Sequence, residues 1–341
     1  MTLGPRILKT GISVTVALYI CYFLQLEQAA FAGVAAIFAV QPSIYRTWKY
    51  FLDQLITNTL GAAVALFAIH FIGNDPIIIG LVMIMVILVC LQLKMESNIA
   101  LTLVTVLAVM SATGTEDWMF AINRFLIILI GISSAFLVNL TIFPPKYKKN
   151  YLENSEKVFQ NMSLLIRTAI SDELTEKSYK EEFDRLTKDI NKLEELFNLF
   201  NEERSKMAKL NPLDTREIVV FKQMLRCLQQ GEEVLEIIEE HYFQIKKNNE
   251  INVFFDQHLE ALTKQHEYLL LKYQGKVKTN EGHLRKDILE DSGTFLEDVL
   301  NIEAEDRRDK QRLITIGSSI FEYSFHLQRL NRLIEQYLKI K

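Results

Sequence analysis

Charge is spread so unevenly along this chain that no single globule accommodates it. Of the 80 Asp, Glu, Lys and Arg residues, only 12 lie in residues 1–145, while the remaining 196 residues hold 68. The twelve are Arg6, Lys9, Arg46, Lys49, Lys94 and Arg124 against Glu27, Asp53, Asp75, Glu96, Glu116 and Asp117. Between them run long apolar stretches. About 20 helical residues cross the hydrocarbon core of a bilayer, and six stretches read as spans, at about 7–26, 29–45, 54–73, 77–94, 97–113 and 118–143. The second and fifth are short, which suits tilted, broken or partly buried helices, and Pro42 interrupts the second. Five of the six prolines and eight of the thirteen glycines also fall in this half, a bias of membrane helices over soluble ones.

The expected fold is therefore all-α: a six-helix transmembrane domain over 1–145 and a cytoplasmic α-helical bundle over 146–341. Arg6 and Lys9 before an apolar run, with Ala30-Phe31-Ala32 after it, imitate a signal peptide. Because apolar sequence continues past that point, the run reads as a retained first helix. With the N-terminus inside, Arg6, Lys9, Arg46, Lys49, Lys94, Lys146, Lys148 and Lys149 all fall on the cytoplasmic side. The opposite loops carry Glu27, Asp75, Glu116 and Asp117 and no basic residue, a positive-inside pattern. Six crossings put both termini in the cytoplasm of a plasma-membrane protein.

A shift of 70 residues lays Trp48 on Trp118, Asp53-Gln54 on Asn123-Arg124, Gly61 on Gly131 and Ala65 on Ala135. Residues 7–73 and 77–143 thus read as two copies of a three-helix unit. Since three is odd, the copies insert in opposite senses, the inverted-repeat plan that puts solute paths at the repeat interface in many transporters.

Arg124 stands out chemically. It lies about 10 Å along its helix from Gly131, near the outer third of the last span, where a cation is costly unless it faces protein or water. An anion-attracting role competes with a structural one, in which Arg124 snorkels to the outer interface or pairs with Asp75, Glu116 or Asp117. Gly131, Ala135 and Asn139 share its stripe, and Gln54, Asn58, Gly61 and Ala65 form the matching stripe on the third span. The small residues Gly61, Ala65, Gly131 and Ala135 allow close helix packing, while Gln54, Asn58, Asn123 and Asn139 either hydrogen-bond across helices or line a wet path. Asp53 at the inner end of the third span and His70 at its outer end are candidates for proton coupling, against plain solvation at an interface.

Other chemistry is disfavoured. There is no glycine-rich phosphate loop, no HExxH and no GxSxG, so an enzyme is not expected. Cys21, Cys90 and Cys227 are isolated from one another and read as small apolar fillers. The histidines His70, His241, His258, His266, His283 and His326 are scattered, the last five on polar helical segments that read as solvated. No metal or cofactor is expected. The net charge of −4 comes from the second half, so no basic domain suits nucleic acid.

That half is amphipathic throughout. Phe183, Leu186, Ile190, Leu193, Phe197 and Phe200 alternate spacings of three and four, as do Leu313, Ile316, Ile320, Tyr323, Leu327, Leu330, Ile334 and Tyr337. Further helices read at about 150–170, 214–247, 252–274 and 283–301, with polar breaks near Asn248-Asn249 and Thr279-Asn280. Glu202-Glu203-Arg204 and the run from Glu303 to Arg312 read as solvated faces. The apolar seams serve either a core within one chain or a junction between two.

The run Gln41-Pro42-Ser43, then Gln54 to Gly61, Arg124 to Gly131, Asn139 and Pro144-Pro145, resembles the aromatic acid exporter and fusaric acid resistance superfamily. The layout is also similar to the aluminium-activated malate transporters, which are anion channels. The resemblance covers residues 1–145 at motif level and the rest in architecture alone. It implies export of aromatic or other organic carboxylates, with Arg124 drawing the carboxylate. The superfamily often places an arginine seven residues before the glycine in both repeats, and here Gln54 replaces the first. Larger members carry two membrane units in one chain, which implies a homodimer for this shorter one. Two alternatives stand beside export: a passive organic-anion channel gated by the cytoplasmic helices, and a membrane-anchored scaffold or sensor.

Overall fold

The computed structural model describes residues 5–111, 117–142, 147–171, 176–207, 215–242, 249–277, 288–302 and 306–339. Among these residues all regular structure is helical, and the chain divides into two compact units, Met1–Pro145 and Lys146–Lys341. Glu116, Pro144, Pro145, Lys146, Asn248, Thr279, Asn280 and His283 lie outside the described residues, as do the side chains of Asp117 and Trp118.

The first unit contains α1 (Pro5–Phe23), α2 (Ala30–Ala39), α3 (Ile44–Phe71), α4 (Pro76–Gln92), α5 (Ile99–Met110) and α6 (Asp117–Thr141). Among the described residues, three segments are long and apolar enough to cross a membrane: Arg6–Phe23, Ile44–Phe71 and Met119–Thr141. Ala30–Ala39, Pro76–Gln92 and Glu96–Met110 are shorter apolar helices. At 1.5 Å per residue, α2 and α5 reach only about 15 and 18 Å, near half of a core about 30 Å thick.

Local chemistry sets these lengths. Val40 is extended after α2, and Pro42 disfavours helix at the residue before it. Ser43 then opens α3 by accepting the Arg46 N–H at 2.9 Å. Helix α3 consequently begins ten residues before the apolar run at 54, because Arg46, Lys49 and Asp53 interrupt hydropathy without interrupting helical hydrogen bonding. Gly73 closes the far end at φ 109°, its N–H bonded to the Ala68 carbonyl at 2.9 Å.

Pairing within this unit has a regular form. Helix α2 lies against α6 as α5 lies against α3; α1 packs on α2 and α6 as α4 packs on α5 and α3; and α3 meets α6. Small residues permit the approach, with Ala32, Ala35, Ala36 and Ala39 of α2 fully buried. Helix α4 turns Ile77, Leu81, Met85 and Leu88 outward.

The second unit packs α7 (Tyr147–Ser171), α8 (Glu176–Met207), α9 (Thr215–His241), α10 (Asn249–Tyr273), α11 (Ile288–Asn301) and α12 (Arg307–Leu338) around one apolar core. Both seams read from the sequence are in it: Leu186, Ile190, Leu193, Phe197 and Phe200 on α8, and Leu313 through Tyr337 on α12, are buried within this single chain. Helix α10 starts at Asn249, earlier than the hydropathy pattern suggested, and residues 243–247 of the stretch read as the preceding helix lie outside the described residues.

Two polar groups are built into this core. Glu217 accepts hydrogen bonds from the Tyr273 hydroxyl at 2.8 Å, the Tyr337 hydroxyl at 3.0 Å and the Lys148 ammonium, tying α9 to α10, α12 and α7. Burial works to raise its pKa, but the three donors together hold the carboxyl below the ordinary range. His266, expected on a solvated face, is instead fully buried, with Nδ1 2.7 Å from the Tyr323 hydroxyl and Phe159 against its ring. Burial pushes its pKa down to about 3, so the imidazole is neutral.

Candidate functional site

Helix α6 carries Arg124 into the interior of the first unit. The side chain is 1% exposed, and among the described residues none accepts a hydrogen bond from Nε, Nη1 or Nη2. Among the described residues its aromatic contact is the ring of Phe31 on α2, whose centroid lies 2.9 Å from the guanidinium carbon. Buried polar groups are nearly always paired, and an unpaired buried cation is the most expensive exception. The snorkelling alternative does not describe a side chain so enclosed. No ion pair to Asp75 forms either, while Glu116 and the Asp117 side chain lie outside the described residues.

The core against which Phe31 packs is apolar. Ile127, Ala32, Ala36, Ala17 and Cys21 form the core that joins α6, α2 and α1 beside it. Two turns along α6 from Arg124, Gly131 brings α6 onto α2: a Cβ there would overlap the Ala32 carbonyl and stand 2.8 Å from the Ala35 Cβ. Ala135, another turn on, is buried in the same contact.

Gln54, the position 70 residues earlier, has the opposite environment. Its Oε1 accepts from Asn98 Nδ2 at 2.8 Å, and its Nε2 donates to Thr102 Oγ1 at 3.5 Å. Thr102 Oγ1 in turn donates to Thr57 Oγ1 at 3.0 Å, and Asn98 Nδ2 also reaches the Tyr50 carbonyl at 3.2 Å. Gly61 lies on α5 here as Gly131 lies on α2, with a notional Cβ 2.9 Å from Thr102 Cγ2 and 3.1 Å from Val106 Cγ2. Ala65 is buried one turn beyond.

The remaining candidates disperse. Asn58 is buried with its Oδ1 unpartnered among the described residues. Asn139 is fully engaged at the other end of α6: Nδ2 donates to Thr47 Oγ1 at 2.9 Å, and Oδ1 accepts from Lys9 Nζ at 2.7 Å. Asn123 and Asp53 are half-buried. His70 is exposed, edge-on to Phe71, beside an apolar groove of about 900 Å³ between α3 and α6. No hydrogen bond or ring contact joins Arg124 to Gln54, Asn58, Asn123 or Asn139.

Sequence reasoning passed over Phe31, Tyr50, Asn98 and Thr102. Tyr50 was recoverable, since it stands one turn before Gln54 on the polar stripe, and its buried hydroxyl is unpartnered among the described residues. Asn98 and Thr102 belong to α5, whose polar residues face α3 only once the two helices are packed.

Apolar helices of spanning length, with shorter apolar helices packed against them, define a helical membrane protein. Residues 1–142 match the family described as "Aromatic acid exporter family member 1". The chain is 33% identical over 350 residues to the UPF0421 protein YgaE of Bacillus subtilis, covering 99% of this chain and 96% of that one. A UPF0421 protein of Oceanobacillus iheyensis matches at 28% identity over 48% of this chain and 47% of its own length, and one from Bacillus cereus at 25% over 67% and 65%. The protein belongs to the aromatic acid exporter family, within its UPF0421 group.

Proposed function

We propose that this protein exports aromatic or other organic carboxylate anions across the plasma membrane. Six membrane segments lie in 1–145, both termini are cytoplasmic and 146–341 is a cytoplasmic bundle. The observation that carries this reading is Arg124. A guanidinium offers five N–H donors in a planar fork that fits a carboxylate, and here none of them meets an acceptor among the described residues. The side chain is suited to an anion that comes and goes, since a permanent acidic neighbour would cancel that capacity.

Inverted three-helix repeats underlie the site. This reading is supported by Gly61 and Gly131, which are 70 residues apart and pack on Thr102 and Ala32, themselves 70 apart. Helices α1 and α4 also end alike: Gln25 and Lys94 have φ 53° and 57°, and the next N–H bonds back to the carbonyls of Cys21 and Cys90, each at 3.0 Å. The short helices α2 and α5 are then the half-length elements on which such transporters build solute sites.

An inside-negative potential drives an anion outward by about 2.3 kcal/mol per charge per 100 mV, so export needs no proton site. Asp53 and His70 are the candidates where a proton gradient contributes. A homodimer supplies the two membrane units of the larger family members, and cross-linking of the purified protein tests it.

The function is tested with the full-length protein in proteoliposomes, following labelled benzoate. Saturable benzoate efflux that responds to potential, and that Arg124→Gln abolishes, is the expected result. Benzoate movement untouched by Arg124→Gln would remove Arg124 from the path. Single-channel currents down a gradient would instead make the protein a channel.

A further inference from the structure

We propose that the groove between α10 and α11 in the second unit is a binding site for a planar aromatic cation. It lies outside the membrane unit and does not depend on the reading of Arg124.

The groove follows from how the two helices are seated. Both pack against α12, and between them they leave a space of about 760 Å³, within the range of small-molecule sites. Aromatic rings line it. Phe295 of α11 stacks on both Phe254 and His258 of α10, which are one turn apart, with centroids at 4.9 and 4.0 Å. Ser292 Oγ lies 3.3 Å from His258 Nε2 and fixes the imidazole against Phe295. Burial pushes the His258 pKa down to about 4, although Asp291 works the other way, so the ring adds no positive charge at neutral pH. Phe254 and Tyr268 are half-buried and border the same space.

Gln265 supplies the observation that points to a ligand. Its side chain lines the groove and is 9% exposed, yet it hydrogen-bonds to no described residue. Buried amides are nearly always paired, and this one presents an acceptor and a donor to the cavity instead.

Charge at the rim selects the sign of the occupant. Asp291 and Asp298 are exposed at the groove, seven residues and about 10 Å apart along α11. Lys264, the basic residue of the lining, is paired with Glu260 at 2.8 Å. The net acidic lining attracts a cation and repels the carboxylates assigned to Arg124. Each feature fits a part of one ligand. The rings take a flat aromatic body and its charge, Gln265 Oε1 accepts from an amino group, and the two aspartates balance the positive charge.

The probe is ethidium, a flat aromatic cation with two amino groups on its rings. It is titrated into the full-length protein in detergent and followed by fluorescence against a protein-free blank. Saturable binding is expected. Asp291→Asn together with Asp298→Asn, both at exposed positions, should weaken it about tenfold, and Gln265→Leu about fivefold. Glu297→Gln, which removes an exposed carboxylate of α11 that does not line the groove, should leave it unchanged. Arg124→Gln should also bind as the parent does, so failure of the exporter reading leaves this site standing. Should Gln265→Leu fail to fold, the paired asparagine variant, confined to the surface, decides the matter. The proposal is overturned if saturable binding is absent, if the paired variant binds as tightly as the parent, if Glu297→Gln weakens binding equally, or if excess benzoate displaces the probe.

Discussion

Gly131 of α6 and Ala32 of α2 are in backbone contact, so close that a Cβ on the glycine would enter the space of the alanine carbonyl oxygen. At the corresponding contact, between Gly61 seventy residues before Gly131 and Thr102 seventy residues after Ala32, the fit is looser: the nearest atoms to a Cβ on Gly61 are side-chain methyls, Thr102 Cγ2 at 2.9 Å and Val106 Cγ2 at 3.1 Å. Substitution should therefore separate the two glycines. Gly→Ala gains about 1 kcal/mol of helix propensity, and overpacking costs about 1–3 kcal/mol or more. At Gly61 the obstacles are side-chain methyls, whose small displacement costs less than moving backbone, and Gly61→Ala should lose about 1 kcal/mol or less. At Gly131 the obstacle is backbone, and Gly131→Ala should lose about 2 kcal/mol. Thermal melting of both variants in one detergent checks the order.

Arg124 should show opposite effects on stability and activity. Leaving a guanidinium buried without hydrogen-bond acceptors costs several kcal/mol, of which contact with Phe31 recovers about 2. Arg124→Met, which keeps bulk and removes charge, is expected to melt higher than the parent while benzoate binding is lost. A lower melting point would mean that the arginine has acceptors and is structural.

Asn139 joins three elements at one end of the unit, through Lys9 on α1 and Thr47 on α3. Replacing it with leucine removes both bonds and should cost about 2–3 kcal/mol. In a double-mutant cycle with Lys9→Met, a coupling of about 1 kcal/mol or more is expected, read from melting or denaturant midpoints.

The helical unit of residues 146–341 should lose stability in mild acid. Glu217 has a folded pKa below its ordinary value, so its contribution is complete above the unfolded pKa and disappears as pH falls through the folded one. His266 titrates at about 3 in the fold and at 6.5 ordinarily. Its neutral form is at no disadvantage above 6.5, and stability is lost as pH falls from there toward 3, at up to about 1.4 kcal/mol per pH unit. The full-length protein should melt lower at pH 5 than at pH 7.5, and His266→Gln should flatten that dependence while keeping a partner for Tyr323.

How far the sequence reaches is clearest at individual residues. The seam from Leu313 to Tyr337 was legible because helical periodicity is written at fixed intervals, and all eight of its members are buried. His266 was not, since it shares its helix with Glu260, Lys264 and Glu267, and only packing against Phe159 and Tyr323 distinguishes its face from theirs. The early start of α3 escaped for a related reason: hydropathy reports solvent, whereas a helix is continued by backbone hydrogen bonds that Arg46 and Lys49 leave intact.

By itself the sequence determined the division of this protein into an apolar and a charged half, its helical character, the register of 70 residues and the one exceptional cation. Each is a local or periodic property, set by which residue follows which. Tertiary structure decided that Arg124 is buried without acceptors among the described residues, that Phe31 lies over it and that Gln54 and Asn139 are already engaged. Partnership depends on which helices meet and at what depth, and residues as far apart as Phe31 and Arg124, or Lys9 and Asn139, acquire it only when α1, α2 and α6 pack together.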